Sequence, residues 1–497
     1  MSMSKPAAAA PSDPSKPSKP LKEVPGSYGL PVLGAVKDRL DFYWFQGDTE
    51  FFRIRMEQHK STVFRVNYSP GPPGYPDSRG IILLDQKSFS VLLDNSKVDK
   101  SDTLLGPYIP NLAFTGGYRV LPYLDTSEAK HTAYKDLIFE LLHVNSSRII
   151  PEYNKVFAET AGSWEERIAK SGKAEVFASS DSMITKFLLR TIVHKDPAEP
   201  GPASLGPKFR DTYQLWTGVN FAGIAHTPLP HFLEELLFHT FRLPPFLVKK
   251  QYKALANFYR THATEVLDLA EKKYGLDREE TVHQLILILG INARLGLHKM
   301  IPALIYYLGL LGEDFQAKIA AEVRSAVHKN RAQGEEGVNI TTQALLEMPL
   351  LRSTVLETLR LTPSIFYIYG RAREDMVIES HDAAFQIKKG ELLGGHQYFV
   401  MRDPEVFEEP HKFVADRFLG ERGKAVLPYL VWSNGRETES PSSSNKQCPA
   451  KDVAELITMQ FVAEMFLRYD SFEITKDSFI NTTELNVHLK SLKKRSV

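Results

Sequence analysis

Apolar positions along this chain recur with two different periods. In the first third, residues 62–68 and 80–84 are runs of β-branched and apolar side chains bounded by Pro, Gly and Asp, which predicts two strands. From about residue 151 to 330 the apolar spacing becomes helical. It predicts one helix over 258–274 and a longer one beginning near Arg278, with Glu279 and Glu280 in the first turn, where the helix dipole favours acid. Two polar residues, Asn292 and Arg294, interrupt the apolar run of that long helix. Beyond residue 350 a helix carries Glu357 and Arg360, and strand-like segments follow at 366–369 and 376–379. An irregular loop rich in Ser, Asn, Gly, Glu and Pro spans 433–447, and helical spacing resumes over 451–467. The order of elements predicts an α+β protein, mainly helical, with small sheets.

Composition bounds the architecture. With 497 residues, 43 % of them apolar, the chain is long enough for a large core, and neither a linker nor an internal repeat divides it. One domain over residues 25–497 is expected. Residues 1–24, rich in Ala, Pro, Ser and Lys, bury too little apolar surface to fold and are expected to form a disordered tail. The tail has no apolar h-region, so a secretory signal is not expected, whereas its scarcity of acid leaves an organelle address open. The main apolar stretches, 285–291 and 301–311, fall short of the roughly 20 residues needed to span a bilayer. A cytoplasmic or plastid-associated protein is expected, with peripheral membrane contact at most. The net charge of +1 carries no basic surplus, so no nucleic-acid partner is expected.

Cys448 is the only cysteine, which excludes an intramolecular disulfide and any multi-cysteine metal site. An inert buried thiol, a nucleophile and a thiolate ligand remain open. The residue sits where the loop enters a helix, and unpaired backbone N–H groups at such an N-terminus lower a thiol's pKa.

Three patterns precede or include this cysteine in fixed order: Glu357-Thr-Leu-Arg360, Asp416-Arg417-Phe418, and Trp432-Ser-Asn-Gly435 followed by a long loop to Asn445-Lys-Gln-Cys448-Pro-Ala450. Together they resemble the cytochrome P-450 superfamily. The resemblance implies that haem b lies between the long central helix and the cysteine loop. It also implies that Cys448 is the axial ligand, and that Glu357, Arg360 and Arg417 brace the core. A cysteine thiolate pushes electron density to iron and favours O–O cleavage.

The departures narrow the resemblance. Gly435 lies thirteen residues before Cys448, an insertion of about nine relative to the usual loop, and Lys446 and Ala450 replace the usual Arg and Gly. The central helix reads Leu289-Gly-Ile-Asn292-Ala-Arg-Leu-Gly296, without the acid–alcohol pair that monooxygenases use to deliver protons. These features resemble the plant fatty-acid-hydroperoxide-metabolising clan: allene oxide synthases, hydroperoxide lyases and divinyl ether synthases. The likeness also runs through Thr115-Gly-Gly-Tyr-Arg-Val120 and Glu379-Ser-His-Asp-Ala-Ala384. It implies a polyunsaturated fatty acid hydroperoxide as substrate, with no O₂ and no reductase. A conventional monooxygenase is the more distant alternative.

By this resemblance Asn292 orients the peroxide, and Lys100, His131, Lys135 and Lys446 are the candidate cations for the haem propionates. Leu104 and Ala293 fall at pocket positions where lyases tend to have the same residues, whereas Gly116-Gly-Tyr-Arg119 and Glu379-Ser-His-Asp382 look more like allene oxide synthases. A hydroperoxide lyase giving an aldehyde and an oxo-acid is therefore the expected activity, with allene oxide synthase as the alternative. Lys249 is a candidate partner for the substrate carboxylate.

Overall fold

The structure, a computed structural model, describes residues 18–226, 229–330, 340–481 and 484–495. The expected tail divides. Residues 1–17 lie outside the described residues, whereas 18–24 belong to the fold. The Ser18 hydroxyl donates to Glu379 at 2.7 Å, Leu21–Lys22 pairs in parallel with Ala384–Ile387, and Val24 is buried. An available strand edge decides this, and composition alone does not register it.

The predicted strands at 62–68 and 80–84 are Val63–Asn67 and Arg79–Leu83, antiparallel with Val63 opposite Leu83. They continue into a five-stranded sheet with Leu392–His396, Tyr367–Ala372 and Val98–Asp99 in that spatial order. Leu392–His396 carries two glycines because its neighbours come too close for side chains. A Cβ at Gly395 would stand 2.2 Å from the Phe89 ring, and one at Gly394 would stand 2.4 Å from the Tyr68 hydroxyl.

The predicted helix over 258–274 is two helices, Lys249–His262 and Thr264–Tyr274, broken at Ala263 (φ −91°, ψ 27°). A one-residue break of this kind leaves the apolar spacing almost unchanged. The long helix starts at Arg278, where the Asp277 carboxylate caps it by accepting from Glu280 N–H at 2.8 Å. It is not uniform. Arg278–Leu287 is α-helical, Ile288–Ala293 is a wider π-helical turn, and Arg294–Lys329 resumes the α-helix with a break at Gly312 (φ 74°). The whole run is apolar enough to cross a bilayer by length, but 61 % of its most apolar window is buried within the protein, as in a core helix.

That helix packs against Phe177–Ile192, Pro349–Leu361 and Lys451–Arg468. Each fully buried large side chain at these contacts contributes about 1.5–3 kcal/mol of apolar burial. Pro349–Leu361 delivers Glu357, fully buried, whose carboxylate accepts from Arg360 Nε at 2.7 Å and from Arg417 Nε at 3.0 Å. The two guanidiniums also donate to the carbonyls of Met401, Pro410 and Glu408. The helix and the chain leading into the cysteine loop are thereby locked together.

Candidate active site

The bulged turn, the helix Ala129–Val144 and the cysteine loop enclose a cavity of about 1170 Å³. Cys448 lines it, one turn before the helix Lys451–Arg468. The long loop loops out and returns. The strand pair Val431–Trp432 and Gly435–Arg436 brings Gly435 so close to Gln447 that a Cβ there would stand 2.6 Å from the Gln447 side chain. Gln447 Nε2 donates to the Arg436 carbonyl at 2.8 Å, which closes the loop just before Cys448. Glu437 anchors the other side through Arg352 at 2.8 Å and the Lys451 ammonium at 3.5 Å. Burial, with Glu455 nearby, pushes its carboxyl up to about 7.

The helix-entry argument for a low thiol pKa does not carry the balance. Burial pushes the Cys448 thiol up, and the Ala450 N–H and the Lys135 charge offset this only in part. At this position desolvation of the sulfur outweighs the helix terminus.

Four predicted cations meet on one side of the cavity. Lys100 Nζ donates to the Tyr369 carbonyl at 2.7 Å, Lys446 Nζ to the Leu124 carbonyl at 2.8 Å, and Lys135 Nζ to the Asn445 side chain at 3.0 Å. His131 is buried and its Nδ1 has no partner among the described residues. Burial, compounded by the Lys446 charge, pushes Lys100 and Lys135 each down to about 7 and His131 down to about 4. Lys446 itself falls to about 8, through burial. These groups satisfy part of their hydrogen bonding with carbonyls, and the nearest carboxylates, Asp125 and Glu128, are already paired with Arg373 and Arg119 and offset the positive charge only in part. The wall fits a dianion, such as the two propionates of a haem, and Cys448 lines the same cavity.

The opposite wall is the bulged turn. Asn292 and Ala293 line the cavity from it, and Leu104 lines it from the segment before the predicted Thr-Gly-Gly-Tyr-Arg run. Asn292 is accessible, and its side chain makes no hydrogen bond with the described residues. Lys249 is not brought to the site. It is exposed at the start of its helix and does not line the cavity, because that helix turns its lysines outward. Sequence reasoning missed a further lysine that does line it, Lys299, which burial holds below the usual lysine range. Its signal was present: Lys299 follows Asn292 by seven residues, two helical turns along one face.

Known proteins resemble this chain in both sequence and fold. The cytochrome P450 family profile matches residues 295–494. A divinyl ether synthase, CYP74M1 of Selaginella moellendorffii, is 57 % identical over 96 % of this chain and 98 % of its own. The chloroplastic allene oxide synthase 1 of Solanum lycopersicum is 43 % identical over 91 % of this chain and 83 % of its own. Among solved structures, a retinoic acid bound cyanobacterial CYP120A1 superposes with a TM-score of 0.67 over 96 % of this chain and all of its own, at 17 % identity. The fold expected from the motifs is therefore present, and the cation-lined wall and the cysteine suit its cofactor. The chain belongs to the cytochrome P450 superfamily and, within it, to the CYP74 family, and its cofactor is haem.

Proposed function

We propose that this protein is a fatty-acid hydroperoxide dehydratase, converting a polyunsaturated hydroperoxide with loss of water and without O₂ or a reductase. The observation that carries the reading is the full-length likeness to synthases, 57 % to a divinyl ether synthase and 43 % to an allene oxide synthase. In both kinds of product the O–O bond has broken, one oxygen has left as water with a proton from a neighbouring carbon, and the carbon chain is not cut into two molecules. The lyase expectation rested on Leu104 and Ala293. Both face the cavity, but the relatives support dehydration over chain cleavage.

Within a single haem domain that takes in residues 18–24 as well, Cys448 supplies the thiolate and Lys100, His131, Lys135 and Lys446 hold the propionates. Bound there, the haem supplies an electron-rich iron that favours O–O cleavage. Asn292, with a free carboxamide, accepts from and donates to the hydroperoxide and fixes its orientation. Lys299, in place of Lys249, pairs with the substrate carboxylate, and Leu104 presents an aliphatic face to the reacting carbons. The exposed Phe45, Phe232 and Phe246 support the expected peripheral contact with a lipid surface. The chloroplastic relatives support plastid association.

Allene oxide is the first product expected. The 57 % relative favours a second reading, a divinyl ether, which is an isomer of the allene oxide. Haem-loaded protein incubated anaerobically with 9- and 13-hydroperoxides of linoleic acid tests both. An α-ketol formed by hydrolysis marks the allene oxide, and a water-stable ether of the same dehydrated mass marks the alternative. Short aldehydes as the main product would return the reading to a lyase, and a requirement for O₂ and a reductant would return it to a monooxygenase. Cys448→Ser is expected to abolish both the thiolate signature in the carbon monoxide difference spectrum and turnover.

A further inference from the structure

Of the two polar residues that interrupt the central helix, Asn292 has a proposed task and Arg294 has none. Arg294 is 2 % exposed, and each of its three nitrogens makes a hydrogen bond. Nε donates to the Gly290 carbonyl at 2.7 Å, Nη2 donates to the Thr217 hydroxyl at 3.2 Å, and Nη1 forms a buried ion pair with Asp181. Asp181 lies on Phe177–Ile192 and Thr217 on Phe209–Asn220, so one side chain ties two neighbouring helices to the widened turn.

The carbonyl it reaches lies inside that turn, Ile288–Ala293. Where wide and normal helical turns meet, the main-chain ladder loses its regular partners, and a side-chain donor there holds the irregular geometry in place. The outer face of the turn is close-packed as well. A Cβ at Gly290 would stand 2.6 Å from the Tyr213 ring, and the Arg294 guanidinium lies 5.7 Å from the centre of that same ring. With its outer face clamped, the turn presents Asn292 to the cavity.

We infer that Arg294 is a positioning residue for Asn292. Its guanidinium, held by Asp181 and Thr217, fixes the widened turn through the Gly290 carbonyl and so sets the direction of the Asn292 carboxamide. The inference rests on the peroxide-orienting role proposed for Asn292. A lysine cannot replace the fork, because an ammonium on a flexible stem does not reach carbonyl, hydroxyl and carboxylate together in one plane.

The test compares Arg294→Lys, Asn292→Ala and the double variant in the full haem-loaded chain, with the 13-hydroperoxide of linoleic acid as probe. Arg294→Lys keeps the charge facing Asp181 and is expected to retain haem content and the thiolate spectrum, with a modestly lower melting temperature from the partners it gives up. Its KM stays within about twofold while kcat falls between ~10-fold and ~100-fold, as for a reacting group displaced by about an ångström. Because Arg294 acts through Asn292, the double variant is expected to be no slower than Asn292→Ala alone. Three results overturn the inference: unchanged kcat in Arg294→Lys, a double variant slowed by the product of the two single effects, or loss of haem or fold with kcat per haem unchanged. Full turnover by Asn292→Ala overturns the orienting role itself, and is distinguishable because it is read in a variant that keeps Arg294.

Discussion

Two buried charge clusters flank the cysteine loop, and they are built on opposite plans. Around Glu357, one carboxylate meets two guanidiniums, and the surplus positive charge is spread over main-chain carbonyls. Around Lys100, His131, Lys135 and Lys446, all four groups carry or take the same sign, and burial drives each toward its neutral form. A cluster that closes on itself braces the fold. A cluster left with a surplus of one sign gains when something of the other sign arrives, as expected of a binding wall.

The largest expected effect comes from opening the closed cluster. Glu357→Gln leaves two buried guanidiniums without a counter-charge, a loss of about 3–5 kcal/mol. Soluble, haem-loaded protein is expected to be largely lost, and the remainder to melt earlier. An unchanged melt would erase the distinction drawn between the clusters.

The open cluster is expected to respond with the opposite sign. Lys100→Met removes a buried charge that Asp125 offsets only in part, so the haem-free protein gains stability, while haem affinity falls about 10-fold or more, as when an outer partner of a metal site is lost. Haem titration alongside thermal melts of both forms checks it. Equal destabilisation of the haem-free and haem-loaded proteins would show that Lys100 is structural.

The same wall sets a pH dependence. Lys100 has its folded pKa lowered to about 7, so from about pH 7 up to the ordinary lysine range the unfolded chain binds the proton that the folded chain has lost. Stability of the haem-free protein therefore rises with pH through that window. Propionates facing Lys100 restore its charge, so the haem-loaded protein is expected to show a smaller rise, and haem affinity to weaken as pH increases. Parallel curves for the two forms would place the propionates elsewhere.

Leu104→Phe belongs to neither cluster and gives the smallest effect on stability, within about 1 kcal/mol where the cavity has room. It sharpens the comparison by separating binding from product choice. The allene oxide share is expected to rise, because an aromatic face steadies positive charge on the reacting carbons. An unchanged product profile would leave Leu104 as plain cavity wall.

Much of this was legible in the residues. The pairing of Glu357 with Arg360 follows from three-residue spacing on a helix, and the strands at 63–67 and 79–83 follow from their composition. Asn292, Leu104 and the four cations all reached the cavity. Lys249 did not, and Lys299 took its place, because an exposed and a cavity-facing lysine look alike until the helices around them are packed.

By itself, the sequence determined what short-range physics controls: helical and extended periods, the acidic first turn at Glu279 and Glu280, the loop-to-helix setting of Cys448 and the order of motifs that marks the superfamily. The tertiary structure decided what depends on partners far along the chain. Leu21–Lys22 becomes a strand only because Ala384–Ile387 offers an edge, and the Cys448 thiol is pushed up only because the packed chain buries it. Arg294, which holds the widened turn through the Gly290 carbonyl, is met by Asp181, 113 residues before it, and by Thr217, 77 residues before it. Local spacing carries no record of such meetings, because burial and long-range ion pairs exist only after the chain has closed on itself.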